Sequence, residues 1–262
     1  MPTTTVPSSV SPAEVERPVA ARPDLGGAAS ARPRPSPPGI LAAAWTIARK
    51  DLAIEYRTRS AFFAALAFSI IGVVVFRFAW DPTRVAAIDL APGVLWVIFT
   101  FSGLLGLFRV FGVELADRAM DGLLGAPIPR EAIFLGKMVA NLLFVLAVQL
   151  VAVPAVVLFY NLPLSGVWLP FAALAVLAAI GLVSVGTLFS AMALNTRLAE
   201  LLLPVLTLPF FIPVVVPAAQ ATVVVLSGRP IAEAMPWLRI LLAFDLVFVF
   251  ACTAVFRFTV EE

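Results

Sequence analysis

From Met138 to Thr196 the chain carries no charged side chain. One crossing of ~30 Å of hydrocarbon takes about 20 apolar residues, so this run must fold back on itself inside a membrane. Asn161-Leu162-Pro163-Leu164-Ser165-Gly166 is the turn, and it separates spans at about 138–160 and 168–194. The remaining apolar runs fall at about 61–80, 90–113, 198–226 and 237–258. The sequence therefore predicts an all-α integral membrane protein with six transmembrane helices. Only 13% of its residues are charged, against about a quarter in soluble domains, which leaves no room for a soluble catalytic domain.

Two segments precede the first span. Residues 1–39 hold nine prolines among Ala, Ser and Arg, and such a composition cannot bury enough apolar surface to fold. They also lack the apolar core of a signal peptide. We expect a disordered cytoplasmic tail, either an unconstrained extension or one whose Arg32 and Arg34 touch anionic lipid. Residues 40–60 differ, because Leu41, Trp45, Ala48 and Leu52 recur at helical spacing among Arg49, Lys50, Glu55, Arg57 and Arg59. That pattern predicts an amphipathic interfacial helix whose membrane-surface anchors are Trp45, Arg49, Lys50, Arg57 and Arg59. A charged lead-in to the first span is the alternative.

Basic residues set the orientation. Arg49, Lys50, Arg57 and Arg59 precede span one; Arg118, Arg130 and Lys137 lie between spans two and three, Arg197 between four and five, and Arg257 at the end. Arg84, Arg229 and Arg239 lie on the opposite side, with Arg77 pointing that way. This bias puts both termini, and the charged interruption Glu114–Lys137, in the cytoplasm.

That interruption is the segment most suited to meeting a soluble partner. Glu114, Asp117, Arg118 and Asp121 follow one another at helical spacings beside Leu115, Ala119, Leu123 and Leu124. Pro127 and Pro129 then break the chain before a new helix at Arg130. An amphipathic connector would share the pattern, but the abrupt break fixes a short helix in a defined place, as docking requires.

Inside the spans, few residues carry chemistry. No histidine is present, which removes the commonest general base and metal ligand. Cys252, the single cysteine, reads as a small buried hydrophobe. No GxxxxGK[ST] phosphate loop occurs, so ATP hydrolysis falls to another chain. Asp245 in span six is either structurally paired or capped, or a proton site. Asn141 and Gln149, two turns apart on span three, suggest interhelical hydrogen bonds. Pro204, Pro209, Pro213 and Pro217 predict a kinked or broken fifth span. It is either a kinked structural helix or a flexible, re-entrant element lining a path.

Several of these motifs together resemble one family. Ala91-Pro92-Gly93 with Trp96, then Glu114…Gly122-Leu123-Leu124…Pro127-Ile128-Pro129…Ile133…Lys137, then Leu203-Pro204…Leu208-Pro209…Ile212-Pro213 and the short ending Phe256–Glu262 are similar to CcmB, the haem exporter B permease of cytochrome c maturation. The resemblance covers about residues 41–262, and the proline-rich tail departs from it. It implies a type II ABC exporter-like permease in the bacterial inner membrane, acting in haem export or delivery. It implies coupling to a CcmA ATPase through Glu114, Asp117, Arg118, Asp121, Pro127, Pro129 and Arg130, with CcmC, CcmD and the haem chaperone CcmE as further partners and a homodimer as one assembly. ATP would sit on the partner subunit. Met120, Met138, Met192 and Met235 are scattered, and Tyr56 and Tyr160 are isolated, so haem would be handled by partners, with no cofactor on this chain. The competing readings are a type II permease for lipid, polysaccharide or drug, a secondary transporter using Asp245, and a non-transporting scaffold. None involves nucleic acid.

Overall fold

A computed structural model of the protein describes residues 39–116, 128–192 and 199–259. The expected disordered tail lies outside the described residues. Among them the chain forms seven helices and no strand: α1 (Ile40–Thr58), α2 (Ser60–Ala79), α3 (Ala87–Ala116), α4 (Arg130–Tyr160), α5 (Trp168–Met192), α6 (Ala199–Leu226) and α7 (Ile231–Thr259). All but α1 are long and apolar enough to cross a membrane. In hydrocarbon no water can satisfy backbone N–H and C=O groups, and a helix satisfies them internally.

The expected spans agree with α2, α3, α5 and α6 to within a few residues. The other two helices start earlier than their hydrophobicity does. Pro129, with φ −59° and ψ 137°, starts α4 at Arg130, so its 31 residues extend about 46 Å and overshoot the ~30 Å of hydrocarbon by about three turns. Glu131 in the first turn suits the positive end of the helix dipole. At α7, Gly228 turns the chain with φ 65°, and Glu233 in the first turn pairs with Arg229.

The turn expected at 161–166 is present: Asn161 takes the left-handed conformation (φ 51°) and its N–H donates to the Val157 carbonyl. At the same outer end, the Arg77 guanidinium Nε donates to the Phe159 carbonyl at 2.9 Å and stacks over Trp80. In the loop after α2, hydrogen bonds from the Thr83 hydroxyl and backbone hold the Asp81 carboxyl below the usual carboxylate range.

α5 is the axial helix, packed against α3, α4, α6 and α7. Every residue from Gly181 to Thr187 is buried, whichever way it faces. Small side chains make that possible, because they let neighbouring helices come close without a hydrophobic drive from lipid. Buried hydrogen bonds then fix the register: Ser190 Oγ donates to the Leu107 carbonyl on α3 at 2.9 Å, and Trp96 Nε1 on α3 donates to Thr222 Oγ1 on α6 at 2.9 Å. One apolar cluster, with Trp96, Phe211 and Tyr160, fills the outer half of the bundle. A second, with Ile47, Phe134, Cys252 and Phe256, fills the inner half. Cys252 is free and buried, as its apolar setting suggests.

The fifth span departs from one expectation. α6 is helical from Ala199 through Leu226, so the broken, re-entrant alternative does not hold. The helix persists because the residues between its prolines keep their own bonds and α3, α5 and α7 pack against its buried side.

Close packing around α5 generates a contrast. A Cβ at Gly186 would overlap Leu107 Cδ1, beside the Ser190 bond, so Gly186→Val should destabilise the bundle by about 1–3 kcal/mol. Gly93 has no atom within 4 Å of where its Cβ would go, and Gly93→Ala should be neutral or gain up to about 1 kcal/mol. Thermal midpoints of the detergent-solubilised variants read the difference; equal shifts would refute the packing argument.

Candidate functional site

The charged segment expected to meet a partner connects α3 to α4 in the chain. Glu114 belongs to the last turns of α3, whereas Asp117, Arg118, Asp121 and Pro127 lie outside the described residues. Pro129 and Arg130 open α4, half-buried, and Ile128 packs into the inner apolar clusters. The downstream flank of the segment is therefore held by packing.

What holds it is α1. Ala43, Ala44, Ile47 and Ala48 form a buried face on that helix, at the i, i+1, i+4, i+5 spacing of one helical stripe. They pack on the first two turns of α4, where Ala132 is fully buried with Ala43 and Ala44. Contact is closest at Gly136: a Cβ there would lie 2.7 Å from the Ala44 carbonyl and 2.8 Å from Ile47 Cβ. One turn further along α1, Asp51 receives the Lys137 ammonium at 3.4 Å. The Lys137 side chain has no solvent exposure, and the Asp51 side chain keeps 17%. Lys50 also pairs with Asp51, at 3.1 Å.

This changes the reading of α1. The helix spans the expected residues, but the predicted stripe through Leu41, Trp45, Ala48 and Leu52 is split. Leu41 and Trp45 are 81% and 60% exposed, while Ala48 is fully buried. A second, small-residue face grips α4, leaving Leu41 and Trp45 free for the bilayer surface. Arg49, Lys50 and Arg57 are exposed. Asp51 and Gly136 were missed by sequence reasoning. The available signal was Ala44, Ala48 and Asp51, three residues on one face whose small size and single charge do not suit lipid.

The α1–α2 corner is also built. Arg59 adopts the left-handed conformation (φ 55°), an uncommon choice for a residue with a Cβ. Its N–H donates to the Glu55 carbonyl at 2.7 Å, and its guanidinium donates to the Tyr56 carbonyl and lies over the Tyr56 ring. The Glu55 carboxylate in turn accepts the Phe62 N–H at 3.0 Å, satisfying the first turn of α2.

The intramembrane polar residues divide. Asn141 behaves as expected, donating from Nδ2 to Thr187 Oγ1 on α5 at 3.1 Å. Gln149 does not, since its buried amide makes no hydrogen bond among the described residues; two turns further along α4, its neighbours are apolar. Asp245 is neither paired nor capped there: the residue is 4% exposed and neither carboxylate oxygen has a hydrogen-bond partner. Arg239, the nearest cation in sequence, is exposed. The Asp245 side chain occupies the notch at Gly181, where a Cβ would lie 2.6 Å from Oδ1. Of the fifth-span prolines, Pro209 and Pro213 are exposed and Pro217 is buried; Pro204 lies in the first turns of α6.

The elements that position the segment are those that relatives share. The CcmB protein family matches residues 42–260, from α1 through the end of α7. Heme exporter protein B of Rhodobacter capsulatus is 30% identical over 172 residues, covering 65% of this chain and 78% of that one. The Paracoccus denitrificans protein of the same name is 31% identical over 66% and 78% of the two chains. Its Pseudomonas aeruginosa counterpart is 29% identical over 75% and 88%. With the match running through all six spans and the α1 anchor, this multi-pass bacterial inner-membrane chain belongs to the CcmB family.

Proposed function

We propose that this chain is the permease subunit of an ATP-driven haem-export complex, and that the segment from Glu114 to Arg130 receives the motion of a separate CcmA-like ATPase. The observation that carries the coupling reading is the anchoring of the segment's downstream flank. A push on that segment meets the start of α4, which is locked to α1 through Gly136 and the Lys137–Asp51 pair. α4 is bonded to axial α5 through Asn141 and Thr187, and α5 to α3 through Ser190 and Leu107. A displacement at the segment therefore reaches the centre of the bundle by packed contacts rather than by a loose loop. CcmC-, CcmD- and CcmE-like proteins would supply haem handling. With no histidine on this chain and its one cysteine buried, strong axial ligands for haem would come from those partners.

The exposed side of α6 is assigned to a protein contact, and a second copy of this chain is the occupant we favour. A proline cannot bond the carbonyl four residues back, so Pro209, Pro213 and Pro217 leave the carbonyls of Val205, Pro209 and Pro213 without their helical donors. Val205 is 68% exposed, and Pro209 and Pro213 are exposed too. Lipid tails cannot satisfy those carbonyls; a neighbouring protein surface can.

Three measurements test these readings. Charge reversal at Glu114, Asp117 and Asp121 should cut co-purified ATPase subunit by roughly tenfold or more; equal recovery from both forms would sink the docking assignment. Removing Asp51 strips a counter-charge from a fully buried ammonium, whereas removing Lys137 leaves Asp51 partly exposed and next to Lys50. Asp51→Asn should therefore destabilise the chain more than Lys137→Met does, by thermal midpoint. Finally, Ile212→Cys on the exposed α6 face (61% exposed) should form a disulfide-linked dimer under mild oxidation, while Ile71→Cys on proline-free α2 (62% exposed) should not. Buried Cys252 gives little background.

A further inference from the structure

An open groove of about 690 Å³ lies where α1, α2 and the middle of α4 meet. Its walls are apolar, from Leu52 on α1, Phe63 on α2, and Leu143 and Ala147 on α4, and its rim carries the guanidinium-bearing residues Arg49 and Arg59. Phe62 and Phe144 close the floor edge-to-face, with ring centroids 6.4 Å apart. The volume falls within the roughly 300–1,000 Å³ of small-molecule sites. Phe63 is 58% and Leu143 39% exposed, so the groove opens sideways to the hydrocarbon.

The rim is chemically asymmetric. Arg49 makes no hydrogen bond or ion pair among the described residues and is exposed. Arg59 uses Nε for the Tyr56 carbonyl, and its terminal nitrogens remain for a ligand. Glu55, the one acid on the rim, accepts the Phe62 N–H through Oε1 and keeps its charge, so a rim of two guanidiniums and one carboxylate is net positive. A net positive rim above an apolar slot therefore suits a ligand that is anionic at one end and hydrocarbon at the other. The left-handed Arg59 backbone holds one of those cations at the hinge between the surface helix and the first span.

We propose that this groove is a binding site for one anionic glycerophospholipid of the cytoplasmic leaflet, its phosphate held by Arg49 and Arg59 and an acyl chain lying between α2 and α4. A guanidinium suits a phosphate, which it can grip with two parallel hydrogen bonds, and basic pockets between spans on the cytoplasmic side recognise anionic headgroups. The apolar walls separate this ligand from free phosphate, which would leave them uncovered. The site differs from general anchoring of α1 to a membrane surface, because it selects one headgroup charge and one chain position. It also adds a lipid wedge to the side of α4 away from axial α5, next to the anchor at Gly136 and Lys137.

The test is native mass spectrometry of the full-length chain in mild detergent, titrated in parallel with phosphatidylglycerol, phosphatidylcholine and inorganic phosphate. Phosphatidylglycerol should be retained roughly tenfold better than phosphatidylcholine, and phosphate should not displace it. Arg49→Gln with Arg59→Gln should bring phosphatidylglycerol down to the phosphatidylcholine level. Ala147→Phe, which fills the slot without touching charge, should lower retention of both lipids. Arg84→Gln, on the opposite side of the membrane, should change nothing, and helix content by circular dichroism verifies that each variant is folded. Equal retention of the two lipids by the wild-type chain would overturn the proposal, as would wild-type retention by the folded double variant or displacement by phosphate alone.

Discussion

The bilayer's refusal to hydrogen-bond the backbone is the constraint from which the rest of this structure follows. It forces each crossing to be a helix, and it removes the usual hydrophobic drive for those helices to associate, because lipid is as apolar as their side chains. What remains is close packing and a few buried polar contacts. The buried run from Gly181 to Thr187 on α5 answers the first need. Asn141 with Thr187, Ser190 with Leu107 and Trp96 with Thr222 answer the second. Each of these contacts joins two different helices, so together they fix register as well as hold the bundle.

α6 is where that constraint is relaxed. Its prolines leave carbonyls that the helix itself cannot satisfy, and the helix still runs unbroken. On an exposed face such groups suit a protein neighbour better than lipid. The exposed proline face of α6 thus follows from the same rule that made the spans helical, applied where prolines are most crowded.

Much of the fold was legible because length and hydropathy decide crossings, and 20 apolar residues are hard to hide. The six spans, the turn at Asn161 and the burial of Cys252 all follow from that. The starts of α4 and α7 were not legible by hydropathy, since charged or proline-bearing turns extend those helices beyond the hydrocarbon; for α4, the proline break did mark Arg130. The partners of polar residues were less legible still. Asn141 and Gln149 look alike in sequence, yet only Asn141 points at a hydroxyl across the interface. The same holds for Asp245, whose notch is made by a glycine sixty-four positions earlier in sequence (245 minus 181). The charged segment that opens at Glu114 was legible as a pattern, whereas the anchor of its downstream flank was not, because Asp51 and Lys137 meet only after α1 has folded onto α4.

That anchor carries a further consequence for how force would move through the chain. The close contact at Gly136 and the Lys137–Asp51 pair join α1 to the first turns of α4, so the two behave as one body. The left-handed residue at Arg59 is the joint between that body and α2. A push on the segment before Arg130 would then tilt α1 and α4 together, with bending concentrated at the α1–α2 corner and at the turns that end α4. The corner is stiffened by the Glu55 bond to Phe62 and the Arg59 bond to Tyr56, and it borders the amphipathic groove. Anything seated in that groove would therefore act on the joint itself, where a small change in angle becomes a larger displacement along 31 residues of α4.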